Sequence, residues 1–117
     1  KIITMIHKNH SKLSSDIFLG DISNPKILDS QLEDNDVIIN LIGQYDQNLS
    51  QFIQKNILGA INILNSAIKK KNIKIILISS ISVYGENLDR PSKESDELNP
   101  KTTYGFVKNI TEQIYQN

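Results

Sequence analysis

Tyr104 and Lys108 stand four residues apart in the segment TTYGFVKNITEQ, residues 102–113. Residues at this spacing are neighbours on one face of a helix. A lysine ammonium beside a phenol stabilises the phenolate and lowers a pKa that is ordinarily about 10. A tyrosine activated in this way can move a proton near neutral pH, a contribution worth roughly 10²- to 10⁴-fold in rate. The spacing is also what two ordinary helical residues show, because such pairs often occur by chance.

Ser80 supplies a hydroxyl that can complete such a site. It ends the apolar run IKIILISS, residues 73–80, and a hydroxyl there can hold the reacting oxygen of a substrate beside the phenol. Serines at the end of a buried strand also satisfy backbone groups in a turn, and Ser79 and Ser82 have the same chemistry. Both interpretations of Ser80 stay open at this point.

Three further polar or glycine positions lie at or near predicted strand ends. Gly43 follows an apolar run, and its missing side chain either lets another group approach the backbone or simply makes a tight turn. Asp21 follows Gly20 and either caps a helix or takes part in binding. Asn56 lies one helical turn from Phe52, near a buried stripe where an amide needs partners, so it either ties loops together or touches a ligand.

The elements that must position these residues alternate along the chain. Apolar, β-branched runs predict strands, and apolar residues at three- and four-residue steps predict an amphipathic helix. Strands are predicted at 2–6, 16–20, 36–43 and 73–80, and helices at 23–32, 50–70 and 102–117. This order predicts an α/β fold with a parallel sheet and helices on both faces, the strand at 36–43 being buried on both of its faces. In such sheets ligands bind beyond the carboxyl ends of the strands.

The composition argues against several classes of function. The chain has 117 residues, enough for one domain, and its 13 basic and 13 acidic side chains cancel. No net field therefore attracts nucleic acid or an anionic membrane. With no cysteine and two histidines, we expect no disulfide and no metal site. No signal peptide or apolar run of about 18 residues occurs, so we expect a soluble, cytoplasmic protein with a small-molecule substrate.

Six segments, taken in order, resemble the extended short-chain dehydrogenase/reductase family. This is the NAD-dependent epimerase/dehydratase group, which acts largely on nucleotide sugars. The segments are GDI (20–22), DVIINLIG (36–43), NILGAINIL (56–64), IILISSISVYG (75–85), PSKESDELNP (91–100) and YGFVK (104–108). The resemblance covers nearly the whole chain and implies a Rossmann-like fold that binds NAD or NADP, with a nucleotide sugar as the substrate.

The resemblance also implies roles for individual residues. Ser80 is similar in position to the catalytic serine or threonine, Tyr104 to the catalytic tyrosine, and Lys108 to the lysine that favours the phenolate and holds the nicotinamide ribose. Tyr104 and Lys108 are also implied to bind the cofactor. The other cofactor-binding residues that the resemblance implies are Asp21 and Ile22 at the adenine, Leu41, Ile42 and Gly43 at the ribose and diphosphate, and Asn56 beneath the cofactor. The implied mechanism is hydride transfer between a substrate carbon and the nicotinamide, with Tyr104 moving the proton and Ser80 orienting the oxygen.

The sequence departs from the family pattern at both ends. No G-x-x-G-x-x-G occurs, and the opening run KIITMI is similar to the family's second strand. We therefore expect 1–117 to be the core segment of a Rossmann domain, lacking the first strand with its phosphate-binding loop and the C-terminal substrate lobe, and to bind a cofactor weakly on its own. Because the family's first strand is central, the strands at 2–6 and 36–42 should not pair with each other.

His7-Lys8-Asn9 stands where the family often has an acidic residue that binds the adenosine ribose. This substitution favours NADP, or no discrimination between the two cofactors. The alternatives to an enzyme are a dinucleotide-binding module without turnover and an inactive, truncated relative. The presence of both Tyr104 and Lys108 favours the enzyme, whereas the missing glycine loop favours the inactive relative. The resemblance also implies a possible homodimer through the helices at 50–70 and 102–117.

Overall fold

Four short strands form two parallel pairs. The structure is a computed structural model that describes residues 3–6, 16–43, 48–85 and 90–116. Strand β1 (Ile3–Ile6) pairs with β2 (Asp16–Leu19), and β3 (Val37–Asn40) pairs with β4 (Lys74–Leu77). Within the described residues no ladder joins β1 to β3. Parallel strands alternating with helices confirm the α/β prediction.

The helix predicted at 50–70 is present as one helical stretch with a wider turn at its centre. It consists of α1 (Leu49–Ile53), a π-helical turn (Gln54–Leu58) and α2 (Gly59–Ala67). Asn48 caps its start, because its side-chain oxygen accepts a hydrogen bond from the backbone N–H of Gln51 at 3.1 Å. Its buried residues recur at three- and four-residue steps and include Phe52, Asn56, Ala60, Ile63 and Ala67.

Helix α3 (Thr103–Gln116) begins where the sequence predicted. The Thr102 hydroxyl accepts a hydrogen bond from the backbone N–H of Gly105 at 3.0 Å, which satisfies one of the free donors at the helix start. The predicted loop before it contains a short 3₁₀ helix, Ile81–Tyr84. The buried face of α3 carries Gly105, Val107, Lys108 and Thr111, so a lysine lies among its core positions.

The helix predicted at 23–32 is wrong, because this segment forms successive turns. Side-chain oxygens compete with helical bonding here. Asp21 accepts from the backbone N–H of Ser23 at 2.9 Å, and Asn24 accepts from that of Lys26 at 3.1 Å. Short polar side chains offer the backbone such local alternatives to a helix. The segment thus connects β2 to β3 as a turn-rich crossover.

The prediction that β3 is buried on both faces is also wrong within the described part of the chain. Val37 and Ile39 are 56% and 57% exposed, whereas Asn40 is 2% exposed. The Asn40 amide donates to the hydroxyl oxygen of Tyr115 on α3 at 2.9 Å. Because α3 packs on the side of β3 that carries Asn40, the alternate side chains of the strand stay open.

Two asparagines tie the amino ends of β3 and β4 together. Asn35 and Asn72 both have left-handed backbone conformations, with φ of 70° and 55°, which asparagine tolerates better than most residues. The Asn72 amide donates to the Asn35 side-chain oxygen at 3.0 Å, and the Asn35 N–H donates to the Lys71 carbonyl at 2.8 Å. These bonds hold the parallel register at one end of the pair and leave the carboxyl ends open.

Candidate active site

A cleft of about 440 Å³ lies at the carboxyl ends of β2, β3 and β4. Parallel α/β sheets bind their ligands at this edge. The predicted site residues that line it are Asp21, Ile22, Leu41, Ile42, Gly43, Tyr104 and Lys108. The lining also contains Gly20, Lys55, Ile78 and Ser79, which the sequence did not mark as site residues. The fold thus gathers most of the predicted set in one place.

Lys108 is buried at the floor of this cleft, with 3% of its surface exposed. Its ammonium donates to the backbone carbonyls of Ile42 at 2.7 Å and Ile78 at 2.9 Å. These carbonyls follow β3 and β4, so the lysine is held by two neighbouring strand ends. Burial lowers the pKa of Lys108, and the carboxylate of Glu112, one turn further along α3, acts against this change.

Tyr104 and Lys108 converge on Gly43. A Cβ atom at Gly43 would lie 3.3 Å from the Tyr104 hydroxyl oxygen and 3.3 Å from the Lys108 nitrogen. The lysine nitrogen is 5.9 Å from the centre of the tyrosine ring. The absence of a side chain at Gly43 therefore gives room to both functional groups. Of the two interpretations of Gly43, the close approach of another group is the one that the structure supports.

Phe52 supports the Tyr104 ring from α1. The two ring centres are 6.3 Å apart with an angle of 33° between the planes, and Phe52 is 3% exposed. Aromatic pairs at this distance attract each other beyond the area they bury. This contact helps to hold the Tyr104 ring in place.

Ser79, and not Ser80, is the serine found among the described residues that line the cleft. The Ser79 hydroxyl donates a short hydrogen bond to the carboxylate of Glu112. The Ser80 hydroxyl donates to the Ser82 hydroxyl at 3.1 Å and accepts from the Ser82 N–H at 3.2 Å, so it caps the 3₁₀ helix. These bonds agree with the interpretation that Ser80 satisfies backbone and side-chain groups in a turn.

Asn56 is buried in the π-helical turn and is not among the described residues that line the cleft. Its amide donates to the Phe52 carbonyl at 2.8 Å, one of the bonds that shape the wider turn. The neighbouring Lys55 does line the cleft. Lys55 could not be identified as a cleft residue from the sequence, because it is a single polar residue at the edge of an apolar stripe and belongs to no recognisable motif.

An asparagine of α2 ties this helix to the cleft. The Asn62 amide donates to the Ile22 carbonyl at 2.8 Å. A Cβ atom at Gly59 would lie 3.1 Å from the Ile22 side chain and 3.3 Å from that of Ile42, so α2 packs closely on both strand ends. Asn62 lies between two isoleucines of an amphipathic helix. A polar amide in that position could have marked it in the sequence as a residue that needs a hydrogen-bond partner.

Gly85 and Gly105 bring the 3₁₀ helix, the following loop and α3 together. A Cβ atom at Gly105 would lie 2.4 Å from the Ser82 carbonyl oxygen, and one at Gly85 would lie 2.2 Å from the Asn99 carbonyl oxygen. Gly85 also has a φ of 83°, which favours glycine. The glycines in the segments VYG and YGFVK therefore allow close backbone packing beside Tyr104.

The described ranges contain neither a membrane-spanning helix nor a cluster of metal-binding side chains. No helix among them is both long and apolar enough to cross a membrane. No group of three or more histidine, cysteine, aspartate or glutamate side chains among them could hold a metal ion.

The parallel strands and the cleft at their carboxyl ends define a Rossmann-like α/β protein. The chain belongs to the NAD dependent epimerase/dehydratase family, whose sequence model matches residues 2–117. The family resemblance of the six segments is thereby confirmed. His7, Lys8 and Asn9 lie outside the described residues.

A curated relative is the UDP-glucose 4-epimerase of Halalkalibacterium halodurans. It is 25% identical over 123 residues, which cover 97% of this chain and 37% of that protein. The chain spans about a third of the length of the curated relatives it matches.

Two solved structures share the fold of this chain. The dTDP-glucose 4,6-dehydratase of Bacillus anthracis, solved with NAD, has a TM-score of 0.72 at 22% identity, covering 88% of this chain and 33% of its own. The RMD protein of Pseudomonas aeruginosa, solved with NADPH, has a TM-score of 0.71 at 23% identity, covering 88% of this chain and 40% of its own. At this identity the likeness concerns the fold alone.

Proposed function

We propose that the protein containing this chain is an NAD(P)-dependent epimerase, dehydratase or reductase that acts on a nucleotide sugar. The observation that carries this proposal is the convergence of the Tyr104 hydroxyl and the Lys108 ammonium on Gly43, inside the cleft. Membership in the NAD dependent epimerase/dehydratase family supports the reaction class. The nucleotide sugar is carried over from relatives such as the UDP-glucose 4-epimerase.

The position and lining of the cleft support binding of a dinucleotide. It extends from Asp21, beyond β2, to Lys108, and a Cβ atom at Gly43 would intrude beside the lysine nitrogen. The residues that would hold NAD or NADP are Asp21 and Ile22 at the adenine, Leu41, Ile42 and Gly43 at the ribose and diphosphate, and Lys108 at the nicotinamide ribose. Asn56 would act from beneath, by shaping the π-helical turn. Bound there, NAD or NADP would supply a nicotinamide able to take up a hydride from a substrate carbon and to return it.

The protein's own part of the chemistry is proton transfer at the Tyr104 hydroxyl oxygen. As the substrate's C–H bond gives up its hydride, the substrate hydroxyl loses a proton to the Tyr104 phenolate. The Lys108 ammonium stabilises that phenolate by its charge. The carbonyls of Ile42 and Ile78 hold the ammonium in place, so the charge needs little rearrangement when the phenolate forms.

Ser80 is proposed to orient the reacting oxygen of the substrate. Its hydroxyl belongs to the segment that follows β4 and bonds with Ser82 in the described structure. Because a hydroxyl donates only one proton, a bond from Ser80 to the reacting oxygen would have to replace its bond to the Ser82 hydroxyl. Ser79, by contrast, has its proton committed to Glu112.

A binding module without turnover is the second candidate. A cleft lined by apolar groups together with Lys55 and Lys108 supports binding of a dinucleotide without requiring catalysis. The enzyme converts a substrate when the cofactor is bound, whereas the binding module does not.

The test is to incubate the intact protein with NAD⁺ or NADP⁺ and, in turn, UDP-glucose, UDP-N-acetylglucosamine and dTDP-glucose. Calorimetry measures cofactor binding, and proton NMR of the sugar measures conversion. We expect cofactor binding and conversion of at least one nucleotide sugar. Cofactor binding with no conversion of any sugar would support the binding module instead, and the absence of both would support the inactive relative.

A homodimer and a cytoplasmic location also stay proposals. Phe106 and Ile110 are 54% and 40% exposed and lie one turn apart on α3, which supports a helical apolar interface. Sedimentation of the intact protein and of its Phe106→Asp variant tests the dimer. The location rests on the absence of cysteine, which fits a reducing compartment.

A further inference from the structure

A hydrogen bond between a serine and a glutamate joins the end of β4 to α3. The Ser79 hydroxyl donates to a carboxylate oxygen of Glu112, 33 residues away, and both side chains are partly buried. Ser79 lines the cleft. Neither residue belongs to the set of site residues assigned above, and the proposed chemistry does not use either of them directly.

The position of Ser79 gives this bond its importance. Ser79 lies between Ile78, whose carbonyl accepts from the Lys108 ammonium at 2.9 Å, and Ser80, whose hydroxyl is proposed to orient the substrate. Glu112 lies one turn after Lys108 on α3. The bond therefore fixes the strand end that carries both a partner of the lysine and the proposed substrate-orienting hydroxyl.

The charge of Glu112 acts on the same lysine. Burial lowers the pKa of Lys108, and the negative charge of Glu112 acts in the opposite direction. The other titratable groups near the lysine are Tyr104 on its own helix and, among the described residues that line the cleft, Asp21 and Lys55.

We propose that Glu112, held by Ser79, is a positioning residue whose negative charge, one helical turn from Lys108, keeps the ammonium in place against the carbonyls of Ile42 and Ile78. This inference rests on the proposed function, in which the Lys108 ammonium supports proton transfer at Tyr104. A purely structural tie between α3 and β4 is the competing explanation. The two explanations differ in whether the charge of Glu112 matters or only its hydrogen bond.

Three variants separate charge from hydrogen bond. Glu112→Gln keeps a carbonyl oxygen that can accept from Ser79 but removes the charge. Ser79→Ala keeps the charge but removes the bond. Glu33→Gln is the matched control, because it removes the same charge from an exposed residue just before the amino end of β3, away from the cleft.

The first readout is the pKa of Lys108, measured by an NMR titration of the intact protein with ¹³C- and ¹⁵N-labelled lysine. The signal of Lys108 is assigned as the one that is missing from the Lys108→Arg variant. We expect Glu112→Gln to shift this pKa to a lower value, and Ser79→Ala and Glu33→Gln to shift it much less. Glu112→Asp, which restores the charge, should bring it back towards the wild-type value. An unchanged pKa in Glu112→Gln, or no difference between Glu112→Gln and Glu112→Asp, overturns the proposal.

The second readout is the rate of sugar conversion as a function of pH. We expect Glu112→Gln to lower kcat on the order of tenfold, the loss that about 1.4 kcal/mol of transition-state stabilisation produces, and to move the alkaline limb of the profile to lower pH. A uniform loss of rate without movement of that limb overturns the proposal in favour of a structural tie. If wild-type protein converts no sugar, the proposed function fails, while the NMR titration still decides the role of Glu112.

Discussion

The Lys108 ammonium donates to the backbone carbonyl of Ile42 at 2.7 Å, although 66 positions separate the two residues in the chain. This bond connects the buried face of α3 to the end of β3, and a second bond to the Ile78 carbonyl connects it to the end of β4. A single side chain thus connects α3 to two of the three strand ends that form the cleft. The arrangement places a positive charge where Tyr104 also points.

Replacing Lys108 should abolish activity and also destabilise the fold. In Lys108→Met the carbonyls of Ile42 and Ile78 lose their donor, at about 1–3 kcal/mol for each buried group left unsatisfied. Relief from burying the charge offsets part of this cost. We expect a measurable fall in the urea midpoint of the intact protein and a fall in kcat/KM of at least about 10²-fold.

Lys93→Met serves as the control, since Lys93 is an exposed lysine of the loop before α3. It should change neither quantity appreciably. Wild-type activity in Lys108→Met would show that the ammonium has no part in the chemistry.

Gly43→Ala should separate activity from stability. The added Cβ would stand 3.3 Å from both the Tyr104 hydroxyl and the Lys108 nitrogen, which is tight but can be relieved by a shift of a few tenths of an ångström in either side chain. Such a shift costs little folding free energy, whereas small misplacements of reacting groups can cost on the order of 10² in rate. We expect an unfolding free energy within about 1 kcal/mol of wild type and a strongly reduced kcat. Unchanged kcat would mean that the cleft at Gly43 is not where the reaction occurs.

Gly105→Ala should destabilise the fold strongly. Its Cβ would stand 2.4 Å from the Ser82 carbonyl oxygen, and backbone atoms on both sides must move to accept it. We expect a loss of about 3 kcal/mol, at the upper end of overpacking effects. Urea unfolding of the intact protein measures it.

The matched comparison is Gly59→Ala on α2. There the nearest atoms are methyl groups of Ile22 and Ile42 at 3.1 Å and 3.3 Å, and a helical alanine is favoured over glycine by up to about 1 kcal/mol. We expect a net change within about 1 kcal/mol of wild type. Equal losses in the two variants would contradict the close backbone packing assigned to Gly105.

The partly buried phenol of Tyr115 should make stability fall at alkaline pH. Burial raises the pKa of Tyr115 to about 12, against the hydrogen bond from Asn40, which lowers it. Because this pKa lies above the unfolded value of about 10, the folded state binds the proton more tightly. The contribution of Tyr115 to stability is therefore complete below about pH 10 and is lost as the pH rises through about 12.

Urea midpoints measured at about pH 8 and about pH 11 test this expectation. The fall in midpoint between the two pH values should be smaller in Tyr115→Phe than in wild type. An identical fall in both proteins would show that Tyr115 ionises as freely in the fold as in the unfolded chain.

Sequence patterns that involve residues close together in the chain predicted much of the fold. The helices at 50–70 and 102–117 follow from apolar spacing and from the capping side chains of Asn48 and Thr102. The parallel order follows from the alternation of strands and helices. The prediction of a helix at 23–32 was wrong because the side chains of Asp21 and Asn24 accept hydrogen bonds from nearby backbone N–H groups and form turns. Composition alone does not show whether such turns or a helix will form.

The site was predicted less completely, because side-chain orientation at strand ends depends on the helices packed there. The sequence placed Tyr104, Lys108 and Gly43 correctly in one cleft. It singled out Ser80, whereas the serine that lines the cleft is Ser79. Neighbouring residues of an extended segment point in opposite directions, so a motif of two serines leaves open which one faces the ligand. The partner that settles the orientation of Ser79 is Glu112, which no local pattern connects to it.

The most direct test of the account is reduction of the bound cofactor by a nucleotide sugar in the intact protein, compared between wild type and Tyr104→Phe. Tyr115→Phe is the matched control, since it removes the same hydroxyl from the same helix outside the described cleft. Ultraviolet absorbance of the reduced nicotinamide, recorded with a sugar that the wild type converts, measures the reaction. We predict that Tyr104→Phe loses at least about 10²-fold in rate while cofactor affinity and the rate of Tyr115→Phe stay near wild type. Reduction by Tyr104→Phe at the wild-type rate would contradict the role assigned to Tyr104 and Lys108.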